Sequence, residues 1–167
     1  PLNIHYQLIQ VGTRKNDTRK QFFKHKMCSH TMFYVINREY DNFNEEQERA
    51  SDPLVGGIMQ GGYQCGLLFG TIMGAGKESF RIHGNNDRST AHAILATQEI
   101  QKAFVETCKS EDCKEIIGID WKNRWQRWKH TLTNLMFCFN LSQKWGPDAV
   151  KAVKEGLRRD PESSPEI

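Results

Sequence analysis

Apolar positions along this chain recur at three- and four-residue steps, and the strict alternation of a half-buried strand is almost absent. From about Asp17 to Tyr40 the side chains of Met32, Val35, Ile36 and Tyr40 fall on one stripe, with Cys28 one turn earlier on the same stripe. That is the pattern of a helix packed along one side. Asn44, with Gln47 three residues on, is a candidate cap for a second helix, kept short by Asp52-Pro53. Asn86 to Thr90 reads as a polar loop before helix from about Ala91 to Thr107. Ser110-Glu111-Asp112 can cap a short helix through Ile117, ended by Gly118. Asp120 can cap a helix through the tryptophan-rich stretch to about Asn140, and Pro147 suits the first turn of a last helix, Asp148 to about Arg158.

The ends differ. Ile4, Tyr6 and Leu8 alternate, but a lone strand would have no partner, and residues 1–16 read equally as an extended arm. Residues 161–167 hold two prolines among acidic and serine positions, the composition of a disordered tail. The expected fold is all-α: one compact bundle of about five to six helices over residues 17–160, around a glycine-rich central helix.

That central helix is the least ordinary segment. Gly62, Gly66, Gly70 and Gly74 are four apart, which puts them on one helical face. Each interior glycine sacrifices roughly 0.5–1 kcal/mol relative to alanine, so Gly66 and Gly70 together forgo about 1–2 kcal/mol. A close approach by another backbone, a second copy of the chain, or a bulky bound group beside Cys65 would offset that loss. Gly62, Gly66 and Gly70 are therefore candidate cofactor-contacting positions.

Composition narrows the function only slightly. A chain of 167 residues, 38% apolar and 26% charged, fits one domain with a real core. A net charge of +3 is too small and too interspersed to argue for nucleic acid. The longest apolar run, about eleven residues from Cys65 to Ala75, is too short to span a bilayer. The chain starts at Pro1, as a processed or truncated N-terminus would, so cytoplasmic and exported locations both stay open. The five cysteines, Cys28, Cys65, Cys108, Cys113 and Cys138, are an odd number, which argues against a fully disulfide-bonded framework.

No two of them form a CxxC, and no common zinc spacing occurs. Cys113 would lie at the third position of a helix capped by Ser110, where free N–H groups favour the thiolate. Lys24, His25, Lys26 and His30 give Cys28 a cationic surround with the same expected effect. Met136-Phe137-Cys138-Phe139 is an apolar context that suggests core. Buried cysteines are more often inert than functional.

Three segments change that balance: Cys28-Ser29-His30-Thr31-Met32, Gly61-Gly62-Tyr63-Gln64-Cys65-Gly66-Leu67-Leu68-Phe69-Gly70, and Cys113-Lys114-Glu115-Ile116-Ile117-Gly118-Ile119-Asp120. Together with Cys138 they resemble the C_GCAxxG_C_C family of redox-active proteins over about residues 24–155. Gln64 and Gly66 depart from that family's usual glycine before, and alanine after, the second cysteine. A related domain in split-Soret-type cytochromes associates four cysteines with an iron–sulfur centre. The resemblance implies that Cys28, Cys65, Cys113 and Cys138 are the ligands of an iron–sulfur cluster or other metal, with Cys108 an extra thiol. It implies an electron-transfer role with an unidentified partner. No CxxCH occurs, so covalent c-type haem is not expected.

Other readings stay open. The same thiols could form a dithiol–disulfide relay, act on a small substrate, or be core residues of a non-enzymatic interaction module. Trp121, Trp125 and Trp128, interleaved with Lys122, Arg124, Arg127 and Lys129, could bind single-stranded nucleic acid or a membrane surface. The preferred reading is a core or homodimer face with a solvated basic back. His25 or His30 could replace a cysteine ligand, and Lys77, Arg81, His83 and Arg88 could meet an anion, although a solvated loop is the preferred reading there. Gly74-Ala75-Gly76-Lys77 fails the P-loop frame at Glu78.

Overall fold

The computed structural model describes residues 15–129 and 135–163. The expected N-terminal arm thus lies almost wholly outside the described residues, as does the tail beyond residue 163. Eight α-helices are present among them: α1 Lys15–His25, α2 Cys28–Glu39, α3 Glu45–Arg49, α4 Gly66–His83, α5 Asp87–Cys108, α6 Cys113–Ile117, α7 Arg124–Lys129 and α8 Leu135–Arg158. Short 3₁₀ turns occupy Asp52–Leu54 and Pro161–Ser163. No strand occurs among the described residues; Gln64 and Asp112 form an isolated antiparallel bridge. The all-α expectation holds, with more and shorter helices than the periodicity suggested.

Local chemistry explains several boundaries. The Asn44 side chain accepts from the Gln47 N–H at 2.9 Å and starts α3. Asn86 does the same for α5 by accepting from the Ser89 N–H at 3.1 Å, so that helix begins at Asp87 instead of about Ala91. Gly118, at φ 65°, ends α6 in the left-handed conformation that glycine adopts without a Cβ clash. The single helix expected over 17–40 is two, broken where Lys26 takes φ 58°.

Two expectations near the C-terminus fail. The tryptophan stretch is not one helix from Asp120 to Asn140: the Asp120 side chain accepts from the Lys122 N–H in a turn, and α7 starts only at Arg124. Pro147 does not begin the last helix but lies inside α8. Proline in a helix interior loses a hydrogen bond and is unfavourable by about 3 kcal/mol. A buried face running from Phe139 through Ser142, Trp145, Ala149 and Val153 holds α8 together across it.

The core lies where α4 packs between α2, α5 and α8, with α5 against α8 and α1 laid over α8 and α2. Trp145 is fully buried at its centre, edge-on to Phe104 at 4.9 Å, and donates from Nε1 to Thr71 Oγ1 at 3.1 Å. Burying such a side chain contributes roughly 1.5–3 kcal/mol. No helix among the described residues is long and apolar enough to cross a membrane.

The glycine ladder seats α2. A methyl at Gly74 would stand 2.6 Å from Ile36 Cβ, and one at Gly70 would overlap the Ser29 carbonyl. The glycine face is therefore filled largely by α2, by its backbone at Gly70 and by the Ile36 side chain at Gly74, and is not open to a second copy of the chain. Gly62 does not belong to this face, because α4 begins only at Gly66. It sits in the preceding loop at φ 77°.

Candidate cysteine site

Four helices bring cysteines toward one end of α4. Cys28 is the first residue of α2, Cys65 is the residue before α4, Cys113 opens α6, and Cys138 comes from α8. The first turn of a helix carries N–H groups without helical partners, so sulfur at these positions has donors within reach. Cys28 Sγ receives the main-chain N–H groups of Gly56 and Ser29, and Cys65 Sγ receives that of Leu67.

Main-chain bonds lock the Cys65 and Cys113 segments side by side. The Cys65 N–H donates to Glu111 O at 2.7 Å, the Cys113 N–H to Tyr63 O at 2.7 Å, and the Lys114 N–H to Gly62 O at 3.0 Å. Gly66 does the corresponding service for Cys28, since a Cβ there would overlap Cys28 Sγ. Gly62 leaves room for Trp121: a Cβ there would meet its Cδ1 at 3.2 Å and Lys114 Cβ at 3.0 Å. The three candidate glycines thus position the helices and the indole around the sulfurs.

The electrostatics divide the thiols. Cys113 is held below the ordinary thiol value of 9.0 by a hydrogen bond from Cys65, against burial, with help from the Trp121 indole N–H and despite the Asp112 charge. Cys65 is pushed well above that value by being the donor in that bond and by burial. Burial pushes Cys28 up to about 11, with the Cys113 charge adding to the rise. Cys138 also lies above the ordinary range, through burial and the charges of Cys28 and Cys113. Cys65 feels the charges of Cys28 and Cys113, and Cys138 feels those same two, so the four sulfurs share one neighbourhood.

Cys108 stands apart. Burial pushes it up to about 12, and its charged neighbours are Lys144 and Asp148. None of the five forms a disulfide. Among the described residues, no three of His, Cys, Asp and Glu close on a single point as ligands around an ion would.

Several sequence expectations change here. Cys113 favours thiolate, but as the first residue of α6 behind Asp112, not the third behind Ser110. Cys28 does not favour thiolate, because burial raises it and the groups that oppose the rise are main-chain N–H donors, not the flanking cations. Of the apolar stretch around Cys138, Phe139 lies in the core and Cys138, partly buried, packs against it, whereas Met136 and Phe137 are exposed. His30 is engaged with Asp52 through Nδ1 at 2.9 Å and stacked on His25 at 4.1 Å. Lys77 donates to Asn42 O, and Arg81 pairs with Glu78, so these two cations are engaged within the fold and not gathered around an anion.

Two contributors escaped the sequence. Trp121 is buried at 8% exposure beside Cys113, while Trp125 and Trp128 are 78% and 61% exposed on α7, so the three indoles share no face. The other is the turn Gly56–Gln60, where Gly56, Gly57, Ile58, Met59 and Gln60 all take positive φ. Left-handed non-glycine residues are unfavourable by about 1–3 kcal/mol each and persist where surroundings enforce them. Bonds from Met59 N to Pro53 O at 2.8 Å, Gln60 N to Val55 O at 3.0 Å and Gly62 N to Gly56 O at 3.0 Å enforce them here. The Gly56-Gly57 pair was its sequence signal.

Fold and site together define an all-α protein that converges four thiols from four helices, one of them tuned toward thiolate. A family model described as "Putative redox-active protein (C_GCAxxG_C_C)" matches residues 26–145, a span containing all four. The chain belongs to this family, and a general redox role follows from that membership. No curated protein and no solved structure gives a significant match.

Proposed function

We propose that the protein is an electron-transfer protein whose Cys28, Cys65, Cys113 and Cys138 hold an iron–sulfur cluster. One observation carries this reading: four cysteines from distant positions act on one another electrostatically, while the fifth is excluded. The donor set fits the group. Fe–S clusters are held by cysteine thiolates, and N–H donors to their sulfurs tune the potential; Gly56, Leu67 and Trp121 supply such donors here. The bound cluster would supply single-electron exchange, and the role calls for a partner that gives or takes that electron. The chain's own residues orient the sulfurs and keep Cys28, Cys65 and Cys113 from water.

Replacing each cysteine by serine and reconstituting anaerobically with ferrous iron and sulfide tests the assignment. Cys28→Ser, Cys65→Ser, Cys113→Ser and Cys138→Ser should each retain little iron, and Cys108→Ser should load like the parent. Loss of iron in Cys108→Ser, with retention in any of the other four, would contradict it.

A second reading rests on the Cys65–Cys113 hydrogen bond. The Cys113 thiolate would attack a substrate disulfide and release one substrate thiolate. Cys65, after losing its proton, would then attack the mixed disulfide, release the second thiol and leave a Cys65–Cys113 disulfide. Disulfide reduction that survives Cys28→Ser and Cys138→Ser but not Cys65→Ser or Cys113→Ser would favour it.

A further inference from the structure

Away from the sulfurs, a cleft of about 740 Å³ is lined by Gln60, Arg124, Trp125, Arg127 and Trp128. That volume lies within the usual range for small-ligand sites. Trp125 and Trp128 meet edge-to-face, with centroids 6.1 Å apart and planes at 84°. Edge-to-face packing leaves a ring face uncovered, and the exposure of both indoles shows that the core makes little use of them. Both formal charges among these lining residues are guanidinium groups, whose planar forks suit phosphate or carboxylate. Gln60, which also lines the cleft, carries an amide that can both donate and accept.

We propose that this cleft binds a planar aromatic anion: a ring of nucleobase or flavin size carrying a phosphate. The indoles would take the ring by stacking, Arg124 and Arg127 the phosphate, and Gln60 a polar edge of the ring. With one indole pair, the cleft offers stacking to a single ring and not to the successive bases of an extended strand.

Both walls of the cleft lead to the cysteines. Gln60 closes the left-handed turn whose first residue, Gly56, donates to Cys28 Sγ. Trp125 follows four residues after Trp121, whose buried indole lies beside Cys113 and lowers its pKa. A ligand here therefore touches both segments that position the sulfurs. The proposal is independent of the group those sulfurs hold.

The experiment titrates the metal-free full chain separately with flavin mononucleotide, adenosine diphosphate and inorganic phosphate, following tryptophan fluorescence and heat. Saturable one-to-one binding of at least one ring-bearing probe at micromolar Kd, with phosphate alone far weaker, is the expected result. Trp125→Ala should weaken that binding by about tenfold or more, in keeping with the loss of one stacked ring. Arg124→Gln should weaken it and flatten its salt dependence. Both side chains are exposed, so the variants should keep the parental circular dichroism. Four results would each overturn the proposal: no saturable binding of either ring, affinity unchanged in both variants, tighter binding of oligo-thymidine or a poly-glutamate peptide than of either ring, or a second copy of the chain that covers the cleft and excludes the probes.

Discussion

The Cys65 thiol donates its hydrogen bond to the Cys113 sulfur, which places two neighbouring cysteines on opposite sides of the ordinary thiol value. The pairing is imposed by main-chain bonds between their segments and so precedes any bound group. The Trp121 indole, buried beside Cys113, lowers its pKa further, which makes Cys113 the thiol that ionises first in the metal-free chain.

Thiolate ultraviolet absorbance against pH checks this directly. One thiolate should form below pH 9.0, the ordinary thiol value. It should vanish in Cys113→Ser and move upward in Trp121→Phe, which lacks the indole donor. An unchanged curve in Trp121→Phe would remove Trp121 from the site.

The glycine ladder makes opposite predictions for two positions on one helix. Gly70→Ala should destabilise by about 1–3 kcal/mol, as overpacking does, because the new methyl meets the backbone of Ser29 and Phe33. Gly76→Ala has nothing within 4 Å and should stabilise by roughly 0.5–1 kcal/mol through helix propensity. Urea unfolding of both variants gives the comparison.

Loading of metal should expel protons, because the ligand form is thiolate. Cys28, Cys65 and Cys138 are all held above the ordinary value, so each enters the site protonated at neutral pH. Binding heats measured in buffers of different ionisation enthalpy should show net proton release, and loading should weaken as pH falls. Loading without proton release would mean that these thiols are not the ligands.

How far the sequence revealed the site depends on the residue. The stripe through Cys28 and Met32, the Asn44 cap and the Gly118 stop are local features, and local periodicity and capping chemistry expose them. Cys28, Cys65, Cys113 and Cys138 could be grouped only through a resemblance, since their convergence depends on how α2, α4, α6 and α8 pack. The spacing of Trp121 to Trp125 and Trp128 fits one helical stripe. The Asp120 turn breaks that register and sends Trp121 inward. The sequence around Cys28 shows flanking cations but not the burial that raises its thiol.

Cys108 provides an internal control for stability. Its folded value, about 12 against 9.0 ordinarily, means the folded state favours the protonated thiol. That contribution is fully present below pH 9 and fades as pH rises toward 12. Between pH 8 and pH 10 it should shrink by about 1 kcal/mol. Cys108→Ala should therefore lose less stability than the parent over that interval, as chemical denaturation at both pH values would show.

Iron and acid-labile sulfide analysis, with a visible spectrum, on anaerobically prepared protein tests the central proposal most directly. The account predicts stoichiometric iron and sulfide, with broad sulfur-to-iron absorption that bleaches on reduction. A colourless protein with no iron or sulfide after anaerobic reconstitution would contradict it.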